Sequence, residues 1–372
     1  MIVALSPEQE ELRRVVTRVV ADSWSHADVR RVMATDDVFA RELWQQLSGD
    51  LGLAGLAVPE RYGGAGAGAV ELAAVAEPLG AALACVPFLS SAVLAVSALL
   101  ACGDEDSCCE LLPGIASGDT IATVAVPWNR ADGSPDRALL PRASGEGGSW
   151  RLRGTLEAVL DGHIADLFLV PAAGPLGVGL FVLEPETPGV RRARVRAFDP
   201  TRGMGSLRLD DAAARLVANV DAAWPALARA FDVGRVVLAA EQVGCAQRAL
   251  ELAVGHARDR VQFGRPIGSF QAVQHICADV LVQVESARSA AWYAAWAAAQ
   301  APDELPVAAA LAKAWCCEAS VRASQQAVQV HGGVGFTWEH PIQLYLKRAR
   351  FSNVLLGDPP FHRELIAQRL EW

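Results

Sequence analysis

The chain has 372 residues, of which 52% are hydrophobic and 20% are charged, and its formal net charge at pH 7 is −9. This length predicts two or three domains of about 100–200 residues each. The acidic balance and the lack of a basic cluster argue against a nucleic-acid partner.

Two further features bear on the compartment of the protein. No run of about 18 uncharged apolar residues occurs, so no membrane span is expected, and the first residues do not form a signal peptide. The eight cysteines show no C-x-x-C spacing, so neither a metal site nor a redox dithiol is predicted. Small buried thiols in a reducing compartment are the favoured interpretation, and we expect a cytoplasmic protein.

Helical patterns dominate the first 118 residues. Ser6 is a candidate N-cap, with Pro7 in the first turn and Gln9 three residues after the cap. A second helix is predicted over Val38–Leu51, and Val70–Leu100 reads as two alanine-rich helices. A break is expected near Pro87, and a short helix over Ser107–Ser117.

The hydrophobic period changes near Thr120, where apolar and polar residues begin to alternate. This alternation predicts a small antiparallel β-barrel or sandwich of about 100 residues. The segment Ala143–Gly148 reads as a loop inside this β-domain. The candidate strands are Thr120–Val126, Ser149–Leu160, Leu167–Pro171, Val178–Leu183, Val190–Ala197 and Gly205–Asp210.

Long helical patterns return from about residue 222 to the end, and they predict an antiparallel four-helix bundle. The expected fold is therefore mainly α with a middle β-domain. The predicted domains are an N-terminal α-helical domain over 1–118, a β-domain over 119–221 and a C-terminal helical bundle over 222–372. The predicted helices of the last part are Gly234–Asp259, Ala272–Gln300, Pro306–Gln329, Ile342–Phe351 and Pro359–Leu370.

The stretch Arg260–Gln271, which reads R-V-Q-F-G-R-P-I-G-S-F-Q, lies between two of these helices. It combines a guanidinium, two amide side chains, aromatic rings and several turn-forming residues. Arginine presents a planar fork of donors that suits phosphate oxygens, and amides suit a flat, hydrogen-bonding ligand. Gln271 falls where the next helix is predicted to begin.

Together with Gln329–Phe336, which reads Q-V-H-G-G-V-G-F, this stretch resembles the acyl-CoA dehydrogenases. The segment Leu56–Gly64 is similar to the L-x-x-P-E-x-Y-G-G segment of the same family. The resemblance covers almost the whole chain. It implies α,β-dehydrogenation of an acyl thioester such as acyl-CoA, in lipid metabolism, with FAD as the cofactor.

The resemblance also implies which residues bind FAD and how the protein assembles. Arg260, Gln262, Phe263 and Gln271 would reach the adenosine diphosphate half of FAD across a subunit boundary. The neighbouring chain would complete the site, and its glycines would let the backbone approach the cofactor closely. The protein should therefore be an oligomer, and the family pattern is a tetramer. The residues expected from the neighbouring chain are Gln329, Gly332 and Gly333.

The catalytic base of the family is missing from both places where it usually occurs. In the run Lys347–Asp358, Leu356 stands where a glutamate is expected, and Gly234 occupies the alternative position. Glu241 lies seven residues after Gly234, on the same helix face about 10 Å along the axis. If it were buried, its pKa would be raised, which suits a base, although hydrogen bonding within the bundle is the favoured interpretation. Asp358 is the other candidate.

Three functional hypotheses follow from this pattern. The chain could be a homo-oligomeric dehydrogenase that uses Glu241 or Asp358. Alternatively, it could be a base-lacking subunit in a heterotetramer with a related acyl-CoA dehydrogenase chain, and Gly357–Arg363 resembles such partner chains. A third hypothesis keeps the scaffold but changes the flavin chemistry or uses a carrier-protein-bound acyl group. Electron-transfer flavoprotein or a similar acceptor is implied by the resemblance.

The β-domain departs from the family at one more place. The family usually shows a Thr-Glu segment and then a Gly-Ser-Asp turn, which touch the flavin ring. This chain has only Asp132-Gly133-Ser134 in that region, together with Trp128. Trp128 could lie against a ring, but a buried packing role is favoured.

Overall fold

The computed structural model describes residues 5–127, 136–146 and 149–371. It divides into two compact units: Met1–Arg30, Ala73–Ala84 and Arg235–Trp372 form the first, and Arg31–Leu72 and Cys85–Gly234 form the second. The fold is mainly helical with one β-region in the middle of the chain, which confirms the expected fold class. The division at 118/119 and 221/222 remains a prediction. Across the described residues, no helix combines the length and apolarity that crossing a membrane requires.

The N-terminal region begins with a helix whose cap the sequence predicted. Ser6 Oγ accepts a hydrogen bond from Gln9 N at 3.3 Å, and Gln9 Oε1 accepts one from Ser6 N at 2.8 Å. This reciprocal capping box satisfies two backbone donors at the start of the helix. The helices of this region are α1 (Pro7–Ser23), α2 (His26–Met33), α3 (Arg41–Gln45), α4 (Ala69–Ala81), α5 (Val96–Cys102) and α6 (Glu105–Ser117).

Two π-helical segments alter the predicted boundaries. Gln46–Asp50 continues α3, so the helix predicted over Val38–Leu51 begins three residues later than expected. Phe88–Ala95 precedes α5, and Pro87 stands at its N-cap. The break predicted near Pro87 is therefore confirmed.

The β-region is a small barrel in the second unit. Strands pair in the order β4-β2-β3-β7-β5, and β5 pairs with β4 to close the ring; β1 adds to β4, and β6 adds to β7. The β1–β4 and β2–β4 ladders are parallel, and the other ladders are antiparallel. The strands are β1 (Ala122–Val124), β2 (Arg142–Glu146), β3 (Ser149–Leu160), β4 (Leu167–Gly174), β5 (Gly177–Leu183), β6 (Val190–Arg194) and β7 (Met204–Ala218).

Two strand predictions need correction. Ala143–Gly148 was expected to be a loop, but Arg142–Glu146 is strand β2, because it pairs with β3 from Arg142–Arg153 to Glu146–Ser149. The strand predicted over Gly205–Asp210 extends to Ala218, since β3 and β5 provide partners along its length. In both cases tertiary pairing overrides weak local β-propensity.

The C-terminal region supplies the long helices of the first unit. The small and apolar side chains of Ala246, Leu250, Val280, Val284 and Ala323 form a buried cluster between the three longest helices. The elements are α7 (Val220–Asp259), the hairpin β8 (Val261–Gln262) and β9 (Arg265–Pro266), α8 (Gln271–Gln300), α9 (Leu305–His331), α10 (Gly333–Phe336), α11 (Ile342–Val354) and α12 (Pro359–Arg369).

Candidate functional site

The hairpin between α7 and α8 carries the first predicted ligand-binding motif. Phe263 and Gly264 form its two-residue turn with φ of 54° and 76°, and Ile267 N donates to Arg260 O at 2.8 Å. A turn with positive φ at both central residues matches the twist of the paired strands. Phe263 is 92% exposed, and its ring contacts Phe270 edge-on at 6.1 Å. The turn thus presents an aromatic ring outward.

The polar side chains of this motif are also exposed. Arg260, Gln262 and Gln271 all lie at the surface, and Gln271 is the first residue of α8, as predicted. In the part of the chain that the structure describes, Arg260 has no ion pair with a carboxylate. Its guanidinium donors are therefore available to an anionic group.

The second motif forms the turn at the end of α9. Gly332 has φ 62° and ψ −138°, a conformation that only glycine adopts readily. Gly333 follows as the first residue of α10, and no atom lies within 4 Å of a Cβ built at either glycine. Gln329 is exposed one turn earlier. The turn therefore offers open backbone to which a ligand can approach closely.

Three histidine rings join the two motifs within one chain. His256 stacks on His331 with ring centroids 4.4 Å apart, and His331 contacts His340 at 4.2 Å. His331 Nδ1 lies 2.7 Å from Ala327 O, to which it donates a hydrogen bond. Since His256 precedes Arg260 and His331 precedes Gly332, the stack places the two motifs side by side.

Burial lowers the pKa of all three imidazoles. The pKa of His340 falls to about 4, because the ring is desolvated and positive charge on His331 and His256 would repel it. Desolvation also lowers the pKa of His256 and of His331. The stacked rings are thus neutral at pH 7.

The loop after α11 holds the position where a catalytic base was sought. Leu356 is fully buried with φ 62°, and Gly357 follows with φ 103°. Leu356 O accepts hydrogen bonds from Arg235 Nε and His362 Nε2, both at 3.1 Å. A left-handed conformation at a non-glycine residue costs about 1–3 kcal/mol, and these contacts hold it in place.

Lys313 supports this loop from α9. Its Nζ is fully buried and donates to Ser352 O at 2.9 Å, to Gly357 O at 3.0 Å and to Cys317 Sγ at 2.8 Å. These three acceptors match the three donors of an ammonium group. Desolvation lowers the pKa of Lys313.

Comparisons with known proteins identify the family of the chain. Residues 6–119 match the acyl-CoA dehydrogenase N-terminal domain, and residues 223–371 match the C-terminal domain. The chain is 34% identical to acyl-CoA dehydrogenase IpdE2 of Mycobacterium tuberculosis, over 98% of this chain and 96% of that protein. This chain belongs to the acyl-CoA dehydrogenase family.

Two solved structures share the fold over nearly the whole chain. The ChsE4-ChsE5 complex from Mycobacterium tuberculosis superposes with a TM-score of 0.89 at 33% identity, covering 100% of this chain and 99% of that chain. A variant of the Tcur3481-Tcur3483 steroid ACAD superposes with a TM-score of 0.86 at 32% identity, covering 98% of each chain.

As an acyl-CoA dehydrogenase, this protein is an oxidoreductase that acts on a CH–CH group and uses FAD. Its two motifs fit a dinucleotide. An unpaired guanidinium at Arg260 suits the pyrophosphate, the open backbone at Gly332 permits close approach, and the exposed Phe263 ring offers a flat apolar surface.

The carboxylate of Glu241 forms an ion pair with Arg348. Glu241 lies on α7 and is 9% exposed, and its Oε1 accepts a hydrogen bond from Arg348 Nη1 at 3.1 Å. A guanidinium at this distance favours the ionised carboxylate, and its hydrogen bond engages Oε1. The interpretation that Glu241 bonds within the bundle matches this geometry.

Asp358 also has a structural task. It is the N-cap of α12, and its Oδ1 accepts a hydrogen bond from Phe361 N at 2.9 Å. Of the usual family positions, Leu356 carries a hydrocarbon side chain and Gly234 carries none. Neither position can accept a proton.

The residues that shape this site were not predicted from the sequence. Arg235 and Lys313 were not proposed as supports of the loop, although a lysine within the alanine-rich run of α9 is an unusual choice for a buried face. The stack of His256 on His331 involves residues 75 positions apart, so no local pattern indicates it. Trp128 and the segment 132–134 lie outside the described residues.

Proposed function

We propose that this chain is the base-lacking subunit of a heteromeric, FAD-dependent acyl-CoA dehydrogenase. The observation that carries the proposal is the pairing of Glu241 with Arg348, together with a hydrocarbon at Leu356. Both carboxylates considered as the base, Glu241 and Asp358, form hydrogen bonds within the fold. The sister chain would supply the carboxylate that removes the α-proton.

Two solved relatives support a heteromer because each contains two different named subunits. The ChsE4-ChsE5 complex and the Tcur3481-Tcur3483 steroid ACAD are each assemblies of two named chains. At 33% and 32% identity over nearly the full length, they resemble this chain in every region. We infer a heterotetramer with a related chain, acting in the cytoplasm in lipid metabolism.

The residues of this chain would bind and orient FAD, which accepts the hydride in the family reaction. Arg260 would bind phosphate oxygens, Gln262 and Gln271 would hydrogen-bond the nucleotide, and Phe263 would pack on it. Gln329 and the backbone of Gly332 and Gly333 would form the adjoining wall. The family resemblance implies that the two motifs of one FAD site come from different chains. Because the histidine stack joins them, we favour a variation in which one chain presents both to the same dinucleotide.

The substrate would be an acyl thioester such as acyl-CoA, and electron-transfer flavoprotein or a similar carrier would reoxidise the cofactor. Dehydrogenation would take place at the acyl site to which the sister chain contributes the catalytic carboxylate. A panel of thioesters from short linear to bulky polycyclic acyl groups, assayed with the assembled complex, would identify the acyl class.

Purification with and without the sister chain tests the proposal. Expressed alone, this chain should be colourless or poorly soluble, and co-expression should yield a yellow complex with a flavin absorption band. The matched control is the sister chain expressed alone. A yellow, active protein from this chain alone would refute the proposal.

A self-sufficient homo-oligomer is the second candidate, and the burial of Glu241 favours it. A carboxylate that is 9% exposed on α7, near the position of Gly234, could act as a base if Arg348 released it. Turnover of an acyl-CoA by this chain alone, with an artificial electron acceptor, would support this candidate.

A further inference from the structure

The first unit contains a groove that is lined by none of the residues assigned above to FAD binding or proposed as a base. Its cavity volume is about 760 Å³, within the range of about 300–1,000 Å³ that is typical of small-molecule sites. One wall is the face of α1 from Glu10 to Ala21 with the following Trp24, and the opposite wall is α7 from Gly244 to Glu251. The second half of α4 forms the floor.

Short side chains shape the floor of the groove. α4 and α7 pack backbone to backbone, since a Cβ built on Gly244 would lie 1.8 Å from Glu77 O. Pro78, Ala81 and Ala82 line the groove beside this contact. Trp24 contributes an apolar face, and its Nε1–H donates a hydrogen bond to Ala82 O at 3.2 Å. The floor is therefore apolar.

The inner end of the groove is neutral and polar. Tyr345 OH donates to Ala81 O at 2.7 Å, and His26 Nε2 lies 2.9 Å from the same hydroxyl. Because the Tyr345 hydroxyl uses its only hydrogen to donate to the Ala81 carbonyl, it can only accept from His26. Nε2 of His26 is therefore the donor in the second hydrogen bond. Desolvation and the nearby Arg248 and Arg30 lower the pKa of His26, which keeps the ring uncharged.

The acidic side chains along the rim already have cationic or amide partners. Glu10 pairs with Arg13 at 2.7 Å, and Glu77 pairs with Arg288 and lies 3.8 Å from Arg13. Glu251 accepts hydrogen bonds at 3.0 Å from both Arg248 and Gln247.

The basic side chains are in excess. Arg14 pairs with Glu11, which does not line the groove, so four lining guanidiniums face three lining carboxylates. Within the described residues, Arg18 has no carboxylate in ion-pair distance. Arg248 on α7 is paired with Glu251, so the uncompensated positive charge of the groove lies at Arg18 on α1.

We infer that this groove binds an elongated amphipathic monoanion of the alkyl carboxylate class. The alkyl chain would lie on the floor of α4 against Trp24, where apolar contact drives burial. The carboxylate would meet Arg18, whose exposed guanidinium can form two parallel hydrogen bonds with it. The inference is argued from Arg18, Trp24 and the floor residues of this chain, and it does not rest on the heteromer proposal.

Titration calorimetry with sodium dodecanoate, below its micelle concentration, tests the inference on the FAD-saturated protein in the assembly in which it is purified. Two variants address the groove. Arg18→Glu reverses the unpaired charge, and Ala21→Trp fills the groove from an exposed position on α1. The matched controls are Arg153→Glu and Ala101→Trp, at exposed positions of the second unit.

Both groove variants should weaken dodecanoate binding by about tenfold or more, while the controls should change it by less than about twofold. Dodecyltrimethylammonium, with the same chain and the opposite charge, should bind far more weakly than dodecanoate. An alkyl carboxylate is also a fragment of an acyl thioester and can bind at an acyl site. The loss of binding in the groove variants, and not binding alone, therefore tests the inference. Equal affinity in wild type and both groove variants, equal binding of the cation, or no binding at all would overturn the inference.

Discussion

Lys313 shows how a cationic side chain is accommodated inside the helices of the first unit. Within the described residues it forms no ion pair with a carboxylate, and its Nζ instead donates to Ser352 O, Gly357 O and Cys317 Sγ. Leaving a buried carbonyl without a donor costs about 1–3 kcal/mol, so the two carbonyls depend on this amine. The side chain thereby fixes the loop that contains Leu356.

Replacing Lys313 with methionine should destabilise the protein by about 2 kcal/mol, because two buried carbonyls lose their donor while one desolvated amine is removed. Urea unfolding of Lys313→Met measures this, and hydrogen exchange should show lost protection at residues 355–358. Lys347→Met, at a partly exposed lysine of α11, is the control. An unchanged free energy of unfolding would show that the loop does not need the amine.

The stacked histidines predict a loss of stability as the pH falls. His340 has a pKa of about 4 in the folded chain, against 6.5 for the unperturbed group. The unfolded chain therefore binds more protons, and stability is complete above about pH 6.5 and declines as the pH approaches 4. His256 and His331 shift in the same direction.

The variant His340→Asn should reduce this pH dependence. An asparagine oxygen can replace His340 Nδ1 as the acceptor for Ile342 N, which lies 3.2 Å away, but it does not titrate. Urea unfolding at several pH values between 7 and 5 measures the slope. A slope identical to that of the wild type would exclude His340 from the proton uptake.

At the scale of elements, the turn between α9 and α10 depends on one of its two glycines. Gly332→Ala should lower the free energy of unfolding by about 1–3 kcal/mol, since alanine is strained at φ 62° and ψ −138°. Gly333→Ala is the matched control, because its φ is not positive and no atom obstructs a Cβ. Its effect should be within about 0.5 kcal/mol. Equal effects of the two variants would contradict the assigned turn geometry.

Elements with strong periodicity were predictable, and those that depend on distant partners were not. The capped start at Ser6, strand Ser149–Leu160 and the beginning of α8 at Gln271 all match local signals. Strand β2 and the second half of β7 were missed, because Gly, Ala and Asp favour loops until a neighbouring strand supplies hydrogen bonds. Helix α2 was missed because it is only eight residues long.

At the scale of the whole molecule, the sequence motifs indicated the family. They could not show which groups pair with the carboxylates that were candidates for the catalytic base. Arg348 stands 107 residues after Glu241, and only the fold brings the two together. Likewise, the composition of a groove built from α1, α4 and α7 depends on packing between segments far apart in the chain. Motif spacing can be read from neighbouring residues, whereas ion pairs and cavities are formed by tertiary contacts between distant segments.

The central claim is that this chain carries no catalytic base, and the most direct test is turnover of the assembled complex with Glu241→Gln. Because glutamine leaves Arg348 without its partner, Glu241→Gln combined with Arg348→Met serves as the control for folding. The account predicts that both variants retain acyl-CoA dehydrogenation within about threefold of the wild type, a change of less than 1 kcal/mol in the barrier. A loss of about a hundredfold or more in Glu241→Gln, with FAD still bound and the complex intact, would contradict it.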